Sequence, residues 1–408
     1  MQDAGLHFFK RCVDLLRDSV STDPRDHIFG AVSYLMGPVS DTARILLKAD
    51  YRSTVQEVFT RAATVFLTEM PDLVLLSECE ALNQHQISGL PSWVPDFTTL
   101  FNSFLDLDID HLFDVSRDQR GRSANTKHLV RVAGSRLYVR GKFLDSVSVI
   151  AAHQDNFKAD LRSEASIVVQ SVRTLQSWFD LVNATSSKYL RKAYKPLSAL
   201  EVLCRALTFD GLAIVASVSH DKNLNLLFHD FLLGWIAKLS IFKAEGKVPD
   251  NLELDLHVIH QDSVCWPPRD LIQNFLRYQV IGSQPVAMQE AFMAHGFGDA
   301  YGLDEDFLAR AGRITSNVRK FSEMLSIHSK YRRLFSTEHA YLGYGSVSMR
   351  KGDQVWLIDG ARVPMVLRKA EGQNEFILVG ECYLHGVMHG EKWGSRWRKP
   401  KLTEICLI

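Results

Sequence analysis

Excess charge of either sign is the first thing this sequence lacks: Lys plus Arg and Asp plus Glu each number 47 in 408 residues. No net field then draws in phosphate backbones or an anionic lipid surface over long range, which argues against nucleic acid as a partner. Long apolar runs are scarce too. The best candidate, Gly211 to Ser219, is too short to cross a bilayer and runs into His220, Asp221 and Lys222, so no membrane partner is expected. Only six cysteines occur, Cys12, Cys79, Cys204, Cys265, Cys382 and Cys406. None forms a Cys-x-x-Cys pair, which fits reduced thiols in a cytoplasmic protein better than a disulfide framework or a zinc site. Met1 to Val20 lacks the unbroken apolar run of a signal peptide and reads as an amphipathic helix. Without secretion the Asn183-Ala184-Thr185 sequon is never glycosylated. Missing as well are Gly-x-Ser-x-Gly, His-Glu-x-x-His and the phosphate-loop Gly-Lys-Ser/Thr, so hydrolase, zincin and nucleotidase readings lose their usual support. No cofactor or metal is expected.

What is present is ordinary globular composition, 46% hydrophobic and 23% charged, enough for one large or two moderate domains. The pattern predicts an α+β fold, largely helical, with a small antiparallel β hairpin in the middle and a C-terminal β meander. The chain reads as one scaffold over 1–408, mainly helical in 1–100, a β hairpin in 101–155, helical again in 156–330 and a β meander in 331–408. In the first part, Val55, Val58, Phe59, Ala62, Ala63, Phe66 and Leu67 follow 3.6-residue spacing. Asp23-Pro24 reads as a cap followed by proline at the first helical position, with Asp26 placed to reach back to the open amides. Leu73 to Leu76 reads as extended, and the prolines of Pro91-Ser92-Trp93-Val94-Pro95-Asp96 prevent helix. Gly134-Ser135 separates Leu129–Val132 from Leu137–Val139, a hairpin that Phe143 to Ile150 continues. Helices are predicted over Ile167–Leu181, Leu197–Leu207, Leu224–Phe242 and Phe307–Leu325. Strands follow at Gln354–Ile358, Val363–Leu367, Phe376–Val379 and Cys382–Val387, with one face buried.

Several blocks carry a family likeness. Asp23-Pro24-Arg25-Asp26-His27-Ile28-Phe29, Asp50-Tyr51 with Val55 to Phe59, Leu90 to Phe97, and Leu137 to Gly141 with Asp145 and Val147 occur in one order. A last block runs from Arg333-Leu334-Phe335-Ser336-Thr337 through Tyr341-Leu342-Gly343 and Gly352-Asp353-Gln354-Val355 to Val379 to Glu391. Together they resemble the region that follows the N-terminal effector domain in fungal heterokaryon-incompatibility proteins. Within that family pattern Phe97 stands where Trp is usual and His389 where an acid is usual. The resemblance puts the effector domain upstream of the Asp23 block, where only 22 residues precede here. The expectation is a scaffold without that domain, and hence without cell-death signalling of its own.

Candidate site residues are few. Glu381, Tyr383 and His385 alternate along a predicted strand, which places an acid, a phenol and an imidazole on one face, able to polarise a carbonyl or move a proton, or else to fix the sheet by hydrogen bonds. Trp93 and Asp96 put an aromatic beside a carboxylate in a stiffened loop, suited to lining a substrate pocket or to packing. Arg25 and Asp26 are explained by capping and pairing with neighbouring loops. His385, His389 and Glu391 have loose ligand spacing, but Gly386 and Gly390 argue against the helix that would align them. His257 and His260 have similar loose spacing, and His295 to Gly298 and Gly343 to Gly345 are imperfect glycine loops. Two functions follow as expectations. One is a cofactor-free enzyme, a cyclase or Diels–Alderase-type pericyclase of fungal specialised metabolism, or a binder of a hydrophobic small molecule, since such chemistry needs an apolar cavity and a few donors but no nucleophile. The other is a recognition module that binds a protein partner without catalysis.

Overall fold

The structure, a computed structural model, describes residues 4–33, 40–70, 72–79, 87–99, 103, 113–116, 130–153, 164–189, 199–210, 222–253, 305–328, 331–394 and 401–408. Their contacts divide into two units, Met1–Val149 with Thr337–Ile408, and Ile150–Ser336.

The first unit opens with helices α1 (Ala4–Leu16), α2 (Asp26–Val32), α3 (Asp41–Leu46) and α4 (Val55–Glu69). α4 forms where the spacing predicted it, and Val58, Phe59, Ala62, Ala63, Phe66 and Leu67 are all buried. Its start is fixed by a reciprocal cap. The Glu57 N–H donates to Thr54 Oγ1 at 3.2 Å, and the Thr54 N–H donates to the Glu57 carboxylate at 2.8 Å, satisfying two amides that the helix itself cannot. Thr54→Ala is expected to cost about 1 kcal/mol, read as a shift of the urea unfolding midpoint. α2 begins later than predicted. Asp23 accepts from the Arg25 N–H at 3.0 Å, closing a turn ahead of the helix, and the Asp26 carboxylate takes the Tyr51 hydroxyl rather than its own amides. The segment predicted as extended near Leu73 is a 3₁₀ turn, Val74–Glu78.

The strands are β1 (Arg131–Ala133), β2 (Arg136–Ile150), β3 (Arg332–Thr337), β4 (Leu342–Ser346), β5 (Gln354–Ile358), β6 (Met365–Lys369), β7 (Glu375–Leu384) and β8 (Thr403–Leu407). The predicted hairpin exists, with Arg131 opposite Tyr138 and Ala133 opposite Arg136; Leu129 lies outside the described residues. Gly134, at φ 62°, makes the turn, a backbone region that side chains disfavour. A correction concerns what the hairpin and meander build. They are parts of one closed six-strand barrel, ordered β2-β3-β4-β7-β6-β5, and β5 pairs back onto β2 from Gly141 opposite Ile358 to Ser146 opposite Gln354. Alternation marks strands one at a time, but closure is a pairing between segments some two hundred residues apart and leaves no local trace. The third and fourth meander strands are one, β7, bent by a bulge against Val366 and Leu367 of β6, where Gly380 takes φ 146°. β7 is buried on both faces through most of its length, unlike the one-sided strand predicted. β8 lies against β2 antiparallel and β7 parallel; Ser92 clasps it by donating from both its N–H and its hydroxyl to the Ile408 carbonyl.

The second unit holds α5 (Ala165–Tyr189), α6 (Ala199–Leu207), α7 (Lys222–Ala244) and α8 (Glu305–His328), four helices whose existence the spacing predicted. Phe231 and Phe321 join α7 to α8 with ring centroids 4.7 Å apart. Buried Asp230 accepts from Asn317 Nδ2 at 2.7 Å across the same seam. By length and composition Leu224–Ala244 reaches what a membrane span requires, beyond the short run singled out from the sequence, yet 67% of it is buried inside the protein. Asp230 and Lys238 lie buried within it, the position of a core helix.

Candidate functional site

Strand β7 positions the three residues that period two placed on one face. Register sets Glu381 opposite Met365 on β6 and Tyr383 opposite Tyr344 on β4. The strand ends at Leu384, so His385 opens the following turn, where its N–H still donates to the Leu342 carbonyl at 3.0 Å. Tyr383, almost wholly buried, brings its hydroxyl to 3.1 Å from His385 Nδ1, and the imidazole is half-buried. Glu381 is 1% exposed and accepts from the Ser103 hydroxyl at 2.8 Å. Phe113 lies over Tyr383 with centroids 6.1 Å apart. Around it, the Asp114 N–H donates to the Met388 carbonyl and the Val115 N–H to the Arg362 carbonyl, both at 3.0 Å. This face of β7 is therefore covered by Ser103 and Phe113 to Val115. A buried carboxylate must be hydrogen-bonded to be tolerated, and Ser103 meets part of that need. Chemically, the Tyr383–His385 pair can exchange a proton, and the part-exposed imidazole is where it would meet a ligand.

Trp93 and Asp96 are drawn into structural roles. Trp93 is fully buried, with Nε1 donating to the Ser135 carbonyl in the β1–β2 turn at 2.9 Å. Asp96 accepts from the Ile87 N–H at 2.9 Å, the Thr98 N–H at 3.0 Å and the Thr98 hydroxyl at 2.6 Å, folding the loop onto itself. Near His389 the Glu391 carboxylate accepts the His389 N–H at 2.8 Å, while the His389 ring packs on Phe113. Among the described residues no three His, Cys, Asp or Glu side chains are grouped to hold a metal ion. His257, His260 and His295 to Gly298 lie outside the described residues. Gly343 to Gly345 is strand β4, where a Cβ on Gly345 would stand 2.9 Å from that of Cys382, so the glycine serves close strand approach.

Residues 308–399 match the family model of the Het-6 β-barrel domain, a stretch that contains β3 to β7. The likeness is to this domain and is carried by the barrel segment. A curated relative, heterokaryon incompatibility protein 6, OR allele, of Neurospora crassa, is 38% identical over 66 residues, 16% of this chain and 10% of that protein. The chain thus spans about a tenth of the length of the relative it matches. No solved structure matches. β2, which closes the ring, lies outside the matched stretch.

In this chain the motif blocks hold the fold together. Arg25 donates from Nη1 to the carbonyls of Tyr51 at 2.7 Å and Ser53 at 2.8 Å, joining two blocks that stand apart in sequence. Its side-chain hydrogen bond to Asp23 holds that carboxyl below its usual value. One cluster escaped sequence reading altogether. Lys10, on the buried side of α1, and Arg17, in the turn just after it, both reach Glu78, with N···O distances of 2.6 and 2.7 Å. Lys10 also faces the Phe66 ring and Arg17 the Phe97 ring. The available signal was two cations seven residues apart on the same face as Leu6 and Val13, where an apolar helix face should carry none. Beside them, burial pushes the Cys79 thiol well up, so it stays protonated and unreactive.

Proposed function

We propose that this chain is a recognition scaffold of the heterokaryon-incompatibility type, whose barrel unit serves to bind a protein partner and whose β7 residues carry out no catalysis. The observation that carries this reading is the packing of Glu381 and Tyr383 beneath Ser103 and Phe113, which gives the most reactive-looking residues of the sequence a structural occupation. The family match, and the name of the Neurospora relative, supply the biological context. The test is genetic. Deletion of the gene, and its replacement by a sequence-divergent allele, should change the outcome of fusion between otherwise matched fungal strains. Unaltered fusion and growth with both strains would overturn the proposal.

A second reading keeps the cofactor-free enzyme or binder of a hydrophobic small molecule, and rests on the Tyr383–His385 pair with its part-exposed imidazole. It predicts that deletion alters the metabolite profile, and that His385→Ala reproduces the change with the fold intact. An unchanged profile in every condition where the gene is expressed sinks it.

A further inference from the structure

A second imidazole, untouched by the proposed function, sits on the turn between β3 and β4. The register of β2 against β5 shifts between Phe143 and Asp145, and such a bulge re-aims the side chains beside it. Here the Asp145 side chain is 1% exposed. Its Oδ1 accepts from the Ser146 N–H at 2.9 Å and from His339 Nδ1 at 2.8 Å, and its Oδ2 from the His339 N–H at 2.9 Å. The turn is held also by the Thr337 N–H to the Tyr341 carbonyl and the Tyr341 N–H to Thr337 Oγ1, both 3.0 Å, with Ala340 at φ 67°. The His339 side chain is 63% exposed.

These contacts fix the tautomer. Burial works against ionisation of Asp145, but hydrogen bonds from Thr337, His339 and Ser146 prevail and hold its carboxyl below the usual value. An ionised carboxylate can only accept, so Nδ1 carries the proton and the lone pair of the neutral ring lies on Nε2. Among the described residues Nε2 has no hydrogen-bond partner. A buried carboxylate on one nitrogen and solvent on the other is the arrangement that orients an imidazole for attack and steadies the cation it becomes.

We propose that His339, positioned by Asp145, is a nucleophilic site that accepts acyl groups from activated esters. Nε2 attacks the ester carbonyl carbon and the alkoxide or phenolate leaves, giving a cationic acylimidazole whose proton stays on Nδ1, hydrogen-bonded to Asp145. Water then adds to the acyl carbon; the carboxylic acid departs, the neutral imidazole is restored, and the proton from water passes to the released alkoxide.

The probe is p-nitrophenyl acetate with the full chain, following nitrophenolate release and mapping acetylated histidines by mass spectrometry after acid quench. His7 is the internal reference, being exposed and, among the described residues, without a carboxylate on its ring. His339 should be acetylated ahead of His7, and His339→Ala should remove the fast release with the fold unchanged. Asp145→Asn should slow acetylation of His339 about tenfold or more, the rate equivalent of one charge-assisted hydrogen bond, while His7 reacts as before. Labelling of His339 no faster than of His7, or full release by His339→Ala, overturns the proposal.

Discussion

Glu78→Ala is expected to destabilise the first unit by about 3–5 kcal/mol, measured by urea titration of the full chain. The substitution removes little apolar contact, so the loss comes from what stays behind. Lys10 and Arg17 have side chains only 10% and 4% exposed, and without Glu78 they would lie in the helical packing with, among the described residues, one counter-charge between them, the more exposed Asp14. The aromatic rings beside them recover only part of the missing carboxylate. The same site makes stability acid-sensitive. Burial raises the Glu78 carboxyl, but the charges and hydrogen bonds of Lys10 and Arg17 prevail and leave it below its ordinary value. A group lowered in the folded state contributes stability that is present above its unfolded value and lost as pH falls through the folded one. Asp14 works the other way, because burial and the nearby Glu78 raise its carboxyl, so its protonation on acidification favours the folded chain. Glu78→Gln removes the lowered group, and with its charge one of the two causes that raise Asp14. It should therefore lose stability at neutral pH and lose less than the parent does between roughly pH 5 and pH 3. Equal acid sensitivity in the two proteins would show that Glu78 does not set it.

How much of this could be read in advance follows from the range of each interaction. The helices α4 to α8 were legible because a buried face repeats every three to four residues within one segment. The β1–β2 hairpin was legible because Gly134 and the flanking alternation sit side by side. Barrel closure was not, since Gly141 meets Ile358 and Ser146 meets Gln354 through backbone hydrogen bonds, which side-chain spacing does not encode. The sequence pattern splits β7 into Phe376–Val379 and Cys382–Val387, whereas Gly380 makes a bulge that keeps one strand paired. The site suffered the same limit in reverse. Alternation did place Glu381 and Tyr383 on one face, but whether that face opens to a ligand or lies under Ser103 and Phe113 depends on residues some 270 positions away. Arg25 pairs with neighbouring loops as its sequence context implies, at the carbonyls of Tyr51 and Ser53. Trp93 and Asp96 suited either a pocket lining or packing, and their partners are the Ser135 carbonyl and the amides of Ile87 and Thr98, which no spacing rule predicts.

Asp353 belongs to the same class of motif residue, and its replacement has the second largest expected effect. Its carboxylate, 3% exposed, takes Arg368 in a two-pronged pair, Nε to Oδ1 at 2.9 Å and Nη2 to Oδ2 at 2.8 Å. Oδ2 also accepts the Arg350 N–H at 2.7 Å, and Arg368 donates onward to the Ser348 carbonyl at 2.8 Å. The pair thus fixes the turn that leads into β5 against β6. Asp353→Ala strands a guanidinium only 18% exposed and frees the Arg350 amide, for an expected loss of about 3 kcal/mol. Removing the cation as well should reverse much of this. Arg368→Met keeps the apolar length of the side chain, and a buried pair exchanged for apolar groups of similar size is often neutral. Asp353→Ala with Arg368→Met is therefore expected to be more stable than Asp353→Ala alone, with a coupling of about 1–3 kcal/mol in the double-mutant cycle. If the two losses simply add, the stranded charge is not the cause, and the weight of this motif residue lies in the Arg350 turn.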